Sequence, residues 1–151
     1  MKNPYFIAQL LLRFSLGIGF LLPVLDRLGY FGGPGTQNVF WGDWTNFVSY
    51  TNLLTPYLNL QMASYAAFIA TVSEVVFGIL LIIGYKTRFV AYGSFMLTLI
   101  FGLSMMFFLH FRAPFNSAVF VVSFSSLMLA SSTTFGWSVD DYINGSSNTK
   151  A

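Results

Sequence analysis

Glu74-Val-Val-Phe-Gly-Ile-Leu-Leu-Ile-Ile-Gly84, followed by Tyr85-Lys-Thr-Arg88, decides the fold class. One carboxylate sits part-way along an apolar run of membrane-spanning length, and the run stops at a glycine and a basic turn. A carboxylate in hydrocarbon is costly, so a charged partner at similar depth is expected. The chain around this stretch is 56% hydrophobic and only 8% charged, with a mean hydropathy of +0.69. Soluble domains carry about 25% charged residues. The composition therefore reads as an integral membrane protein whose main partner is a lipid bilayer. Its 151 residues allow one compact domain. Eighteen Phe, eight Tyr and three Trp suit lipid contact and interfacial belts.

Four apolar runs approach the ~20 residues that a ~30 Å hydrocarbon core requires. Helix one is expected over 5–28, opened by Asn3 as N-cap and Pro4 at the first helical position, and ended near Pro23 and Asp26-Arg27. A signal peptide is the competing reading. Against it, Arg13 splits the apolar region and no small-x-small cleavage site follows. Helices two, three and four are expected over 64–83, 89–109 and 114–131. Between helices one and two, Gly32-Gly33-Pro34-Gly35 marks a turn. Trp41, Trp44, Phe47, Val48, Thr51 and Leu54 then recur at three- and four-residue steps, which predicts a short amphipathic helix in the membrane interface, stopped by Pro56. That loop is either an anchoring aromatic belt or a lid over a lipid-facing opening.

The expected fold is thus all-α: an integral membrane four-helix bundle over 1–135 with an interfacial amphipathic helix, then a polar tail over 136–151 that frays. Lys2, Lys86, Arg88 and Lys150 flank one side of this topology, and Arg27 and Arg112 the other. The positive-inside rule then favours four spans with both termini inside. Small residues recur every four positions at Ala63, Ala67 and Thr71, at Ser94, Thr98 and Gly102, and at Ser126, Ala130 and Thr134. They mark faces where helices approach closely.

Arg13 lies nine residues after Pro4, about 13 Å into its helix, and Glu74 lies ten residues before Gly84, about 15 Å from the same face. An Arg13–Glu74 ion pair is therefore expected, because either charge alone would cost several kcal/mol. Arg13, Gly17, Phe20, Val24 and Arg27 share one helix face, and Ala67, Thr71, Glu74, Gly78, Leu81 and Tyr85 share another. These faces are expected to meet. The pair is either a clamp that sets helix register or a polar centre that binds a quinone head group or relays a proton. Asp26, Arg27, Asp43, His110 and Arg112 are expected at the outer rim, as solvated charge or as a docking patch or proton entry point using His110.

No cysteine occurs, which excludes disulfides, a thiolate nucleophile and Cys metal sites in this chain. A single histidine excludes bis-histidine haem and multi-histidine metal sites, so neither metal nor haem is expected. No hydrolase triad, phosphate-binding loop, dinucleotide fingerprint or zincin motif is present. The net charge of +2 is too small and dispersed for nucleic acid.

These same residues resemble the DoxX family, which groups with the small membrane subunit of thiosulfate:quinone oxidoreductase. Arg13, Leu16, Gly17 and Phe20 match the family's Arg-x-x-Leu-Gly-x-x-Phe opening. Arg27 stands where the family usually has lysine. Glu74, Gly78, Leu80, Leu81 and Gly84 match Glu-x-x-x-Gly-x-Leu-Leu-x-x-Gly, followed by Thr87-Arg88 and Ala91. Phe77 departs from a frequent second glycine, and Pro23-Val24 replace a more polar step. The resemblance covers 10–102 and implies a four-helix protein of the bacterial inner membrane, sometimes working beside redox enzymes. The leading expectation is an accessory or quinone-associated subunit of a membrane redox system, with quinone, a redox partner protein or a second copy as partners. The alternative is a structural or scaffold membrane protein whose buried ion pair only fixes packing. A proton path ranks below both, since one ion pair makes a poor relay.

Overall fold

A computed structural model describes residues 4–148. Lys2, Asn3 and Lys150, assigned above to a cap and to the flanking charge, lie outside the described residues. Among these the chain is all-helical: α1 (Pro4–Arg27), α2 (Trp44–Leu54), α3 (Leu60–Ile83), α4 (Thr87–Phe108), α5 (Ala113–Asn116), α6 (Val119–Ala130) and α7 (Val139–Asn148). Three helices, α1, α3 and α4, are long and apolar enough to cross a membrane, and α6 is a shorter apolar helix.

Helix ends follow local chemistry. Asp43 caps α2, accepting from the Asn46 amide at 2.7 Å, and Asn59 caps α3, accepting from the Met62 amide at 2.9 Å. Helix α3 stops at Gly84, whose left-handed φ of +75° lets its amide return to the Leu80 carbonyl. The N-terminus of α4 has no side-chain cap of its own, because Lys86, at φ +47°, carries no acceptor. Asp140 supplies the cap from far along the chain: its two carboxylate oxygens accept from the Lys86 and Thr87 amides at 2.7 and 2.8 Å. The Asp140 amide in turn donates to the Gly84 carbonyl. The segment expected to fray therefore forms α7 and fastens the α3–α4 turn.

Helix four is also not the continuous span expected. Ser117 and Ala118 break it into α5 and α6, with Ala118 at φ +52°. Helix α6 has 12 residues, about 18 Å of rise, well short of a ~30 Å core.

The faces of α1 and α3 do meet. A Cβ at Gly17 would lie 2.8 Å from the Gly78 carbonyl oxygen and 2.6 Å from Ile82 Cγ1. Backbones touch here, as small residues permit in lipid. Helix α4 packs on α3 with Phe77 standing over Gly93, so the aromatic that departs from the family pattern uses the space of a missing side chain opposite. Ala63, Ala67, Ser94, Ser126 and Ala130 are all fully buried. Helix α2 lies against α3 and α4 through Phe47, Val48 and Leu54.

Two outcomes follow for thermal unfolding in detergent. Gly17→Ala should lose about 1–3 kcal/mol through overpacking, whereas Gly19→Ala, whose Cβ meets nothing within 4 Å, should gain up to about 1 kcal/mol. Equal effects at both positions would contradict the α1–α3 crossing. Asp140→Ala should cost about 0.5–2 kcal/mol as a lost cap, with Asp141→Ala near neutral; the reverse order would contradict the long-range cap.

Candidate functional site

Arg27, the last residue of α1, is the centre of the site, with a side chain only 1% exposed. Its side chain leans back toward the N-terminus of its own helix, as helical side chains do. Nε donates to the Pro23 carbonyl at 3.0 Å. Nη1 donates to Thr71 Oγ1 at 2.8 Å, and the Thr71 hydroxyl in turn donates to the Ala67 carbonyl. Nη2 forms an ion pair with Glu74 Oε2 at 2.6 Å. The guanidinium carbon lies 3.7 Å from the ring centre of Phe47 and 5.2 Å from that of Trp41. These are cation–π distances.

The loop before α2 is tied down to make that aromatic wall. Asp26, only 4% exposed, accepts from the Phe40 and Trp41 amides at 3.2 and 2.9 Å. Trp41 is then stacked edge-on against Phe47. Adjacent residues of α1 thus have opposite tasks: Asp26 holds the loop and Arg27 reaches into the bundle. The expectation that both are solvated rim charges is corrected. His110 and Arg112, by contrast, are exposed after α4.

Glu74 is paired with Arg27, not with Arg13. The count that matches Glu74 to Arg13 sets Pro4 level with Gly84, but Gly17 crosses Gly78 and Ile82, so Arg13, one turn earlier on α1, stands level with the end of α3 and about two turns from Glu74. Arg27 reaches back along α1 to Glu74, while Arg13 reaches the far end of α3. There its Nε donates to the Leu81 carbonyl at 3.1 Å and Nη2 to Ile82 at 3.2 Å. These belong to the last turn of α3, whose carbonyls lack intrahelical donors and carry the negative end of the helix dipole. Nη1 also lies 3.4 Å from the Gly136 carbonyl. Arg13 is a C-terminal cap.

Beside the ion pair lies a cavity of about 520 Å³ walled mainly by apolar side chains of α1, α2, α3, α4 and α6. Leu16, Phe20, Trp41, Phe47, Leu97 and Phe101 form much of its surface, and Glu74 and Arg27 are its charged residues. Glu74 keeps one fifth of its side chain exposed, against almost none for Arg27. Ser15, Gly19 and Ser117 of the lining are exposed, so the cavity opens sideways. Its size and its one polar pole fit an amphiphilic small molecule. Trp44 contacts Phe47 but is not part of the lining. Phe47 and Thr71 are site residues that the sequence pattern alone does not single out. Thr71 is legible only as a neighbour of Glu74 on one helix face, and Phe47 only as a member of the aromatic stripe.

The family model of DoxX matches residues 8–110, which include most of α1, all of α2 to α4 and every charged residue of this site. No curated protein and no solved structure matches the chain.

The charge pairing has a direct test. Arg27→Met or Glu74→Met alone should lower unfolding stability by about 3 kcal/mol or more, and the double variant should recover much of that loss. Arg13→Met should add independently to Glu74→Met, because its carbonyl partners lie about 11 Å along α3 from Glu74. Coupling of Glu74 to Arg13 rather than Arg27 would overturn the assignment.

Proposed function

The chain belongs to the DoxX family, and from that premise we propose that this integral membrane protein holds a quinone-class molecule for a membrane redox system. The observation that carries this reading is the lateral cavity of about 520 Å³ with a single ion pair in its wall. A quinone has an apolar ring and tail and two oxygen atoms. The ring suits the aromatic surface of Trp41 and Phe47, and the tail suits an opening toward lipid. The pair carries no net charge, so a neutral ligand enters without stranding an ion. Lacking cysteine, the chain contributes no thiol chemistry of its own. Its part is to bind and orient, and the electron acceptor or donor is a partner protein.

This reading puts four spans in an inner membrane, with α5 and α6 together as the fourth. Lys86 and Arg88 then lie on the inner side with both termini, and α2 lies in the outer interface. The scaffold reading is favoured by one fact, the near-complete burial of the Arg27 side chain behind its hydrogen bonds. In that case the cavity is filled by a lipid chain, and the ion pair sets only the register of α1 on α3.

Solvent extraction of the protein purified in mild detergent, followed by mass spectrometry, separates the two. Quinone should approach one per chain, far above an unrelated helical membrane protein. It should fall several-fold in Gly19→Leu, whose new side chain points into open space beside the cavity. Phospholipid without quinone enrichment would overturn the quinone reading and favour the scaffold.

A further inference from the structure

The polar atoms that face this cavity are unequal in kind. Arg27 has hydrogen-bond donors, but its side chain is only 1% exposed and its Nε, Nη1 and Nη2 are each committed to a protein partner. Its planar face is covered by Phe47. Glu74 is the charged group that a ligand can touch, with 20% of its side chain exposed. It offers carboxylate oxygens, which accept.

The neighbouring polar groups point the same way. The hydroxyls of Thr51, Thr55 and Thr98 in the lining each donate to a carbonyl of their own helix, at 2.9, 2.8 and 2.8 Å. What remains of each toward the cavity is an acceptor lone pair. Pro23 lies within α1 and has no N–H to give to the Gly19 carbonyl four residues earlier, and both residues line the cavity. Of the three serines of the lining, Ser15 and Ser117 are exposed at its open side and Ser104 is half-buried. Apart from Arg27 and the serines, these acceptors outnumber the side-chain donor of the lining, the indole N–H of Trp41.

We infer that the cavity selects a lipophilic ligand that donates a hydrogen bond, a phenol or hydroquinone, over the corresponding quinone or ether, with Glu74 accepting from the ligand hydroxyl. A quinone carbonyl set against the Glu74 carboxylate would place acceptor on acceptor. An ammonium is disfavoured because Arg27 already neutralises Glu74. This inference rests on the cavity being the ligand site and specifies the oxidation state it retains: the reduced, protonated form. No bond is made or broken in the binding step. The hydroxyl proton stays on the ligand oxygen and is shared with the carboxylate.

The test uses the full chain in detergent under argon and three probes with one tail: decylhydroquinone, its dimethyl ether and decylbenzoquinone. Affinity is read from ligand-dependent thermal shifts. The hydroquinone should bind at least about tenfold tighter than the ether and the quinone, the scale of one hydrogen bond to a charged group. Gly19→Leu should weaken the hydroquinone several-fold, which places binding in this cavity without disturbing the ion pair. Equal or tighter binding of the quinone or ether would overturn the inference and leave the quinone-class reading standing. Hydroquinone binding unchanged in Gly19→Leu would also overturn it, since the site would lie elsewhere. Failure of all three probes to bind would overturn both the inference and the reading on which it rests.

Discussion

The contact between Arg27 and Glu74 constrains everything around it. Two opposite charges inside an apolar bundle are tolerable only together, and only if their remaining polar atoms are also satisfied. Arg27 meets that demand with the Pro23 carbonyl, the Thr71 hydroxyl and the faces of two rings. The rings are available because Asp26 ties down the loop that carries Trp41. The close approach of α1 and α3 at Gly17 and Gly78 brings the partners within reach. Loop anchoring, helix crossing and aromatic packing are thus consequences of housing one ion pair.

Arg13 and Asp140 are placed by backbone dipoles. Arg13 sits on the closing carbonyls of α3, and Asp140 on the opening amides of α4. The two helices meet at the Gly84–Lys86 turn, where one ends in negative partial charge and the next begins in positive. A cation and an anion from distant parts of the chain answer those two poles. The end of α3 and the start of α4 are therefore closed by electrostatic caps, away from the cavity beside Arg27 and Glu74.

Much of this architecture is legible in the order of residues. The apolar runs set α1, α3 and α4 because hydrocarbon thickness sets helix length. Gly17, Gly78 and Ala67 are readable as contact positions because only small residues let backbones touch. The partner of Glu74 is not, because counting depth from Pro4 and from Gly84 takes those two helix ends as level, whereas the Gly17–Gly78 crossing sets Arg13 beside Gly84 instead. The Asp26-Arg27 step looks like a solvated rim, since neighbouring charges at a helix end usually are. Nothing local announces the break at Ala118, which holds a left-handed conformation with no glycine or proline there to signal it. Asp140 looks like part of a loose tail because its partners are 53 and 54 residues away.

That last separation has a meaning in time as well as in space. Chains are made from the N-terminus, so α3, α4 and the turn between them exist before Asp140 does. Until Asp140 arrives, the Lys86 and Thr87 amides have only water to bond. The cap on α4 is therefore the last part of this hairpin to be completed, a fastener supplied by α7 after both helices it joins have been made.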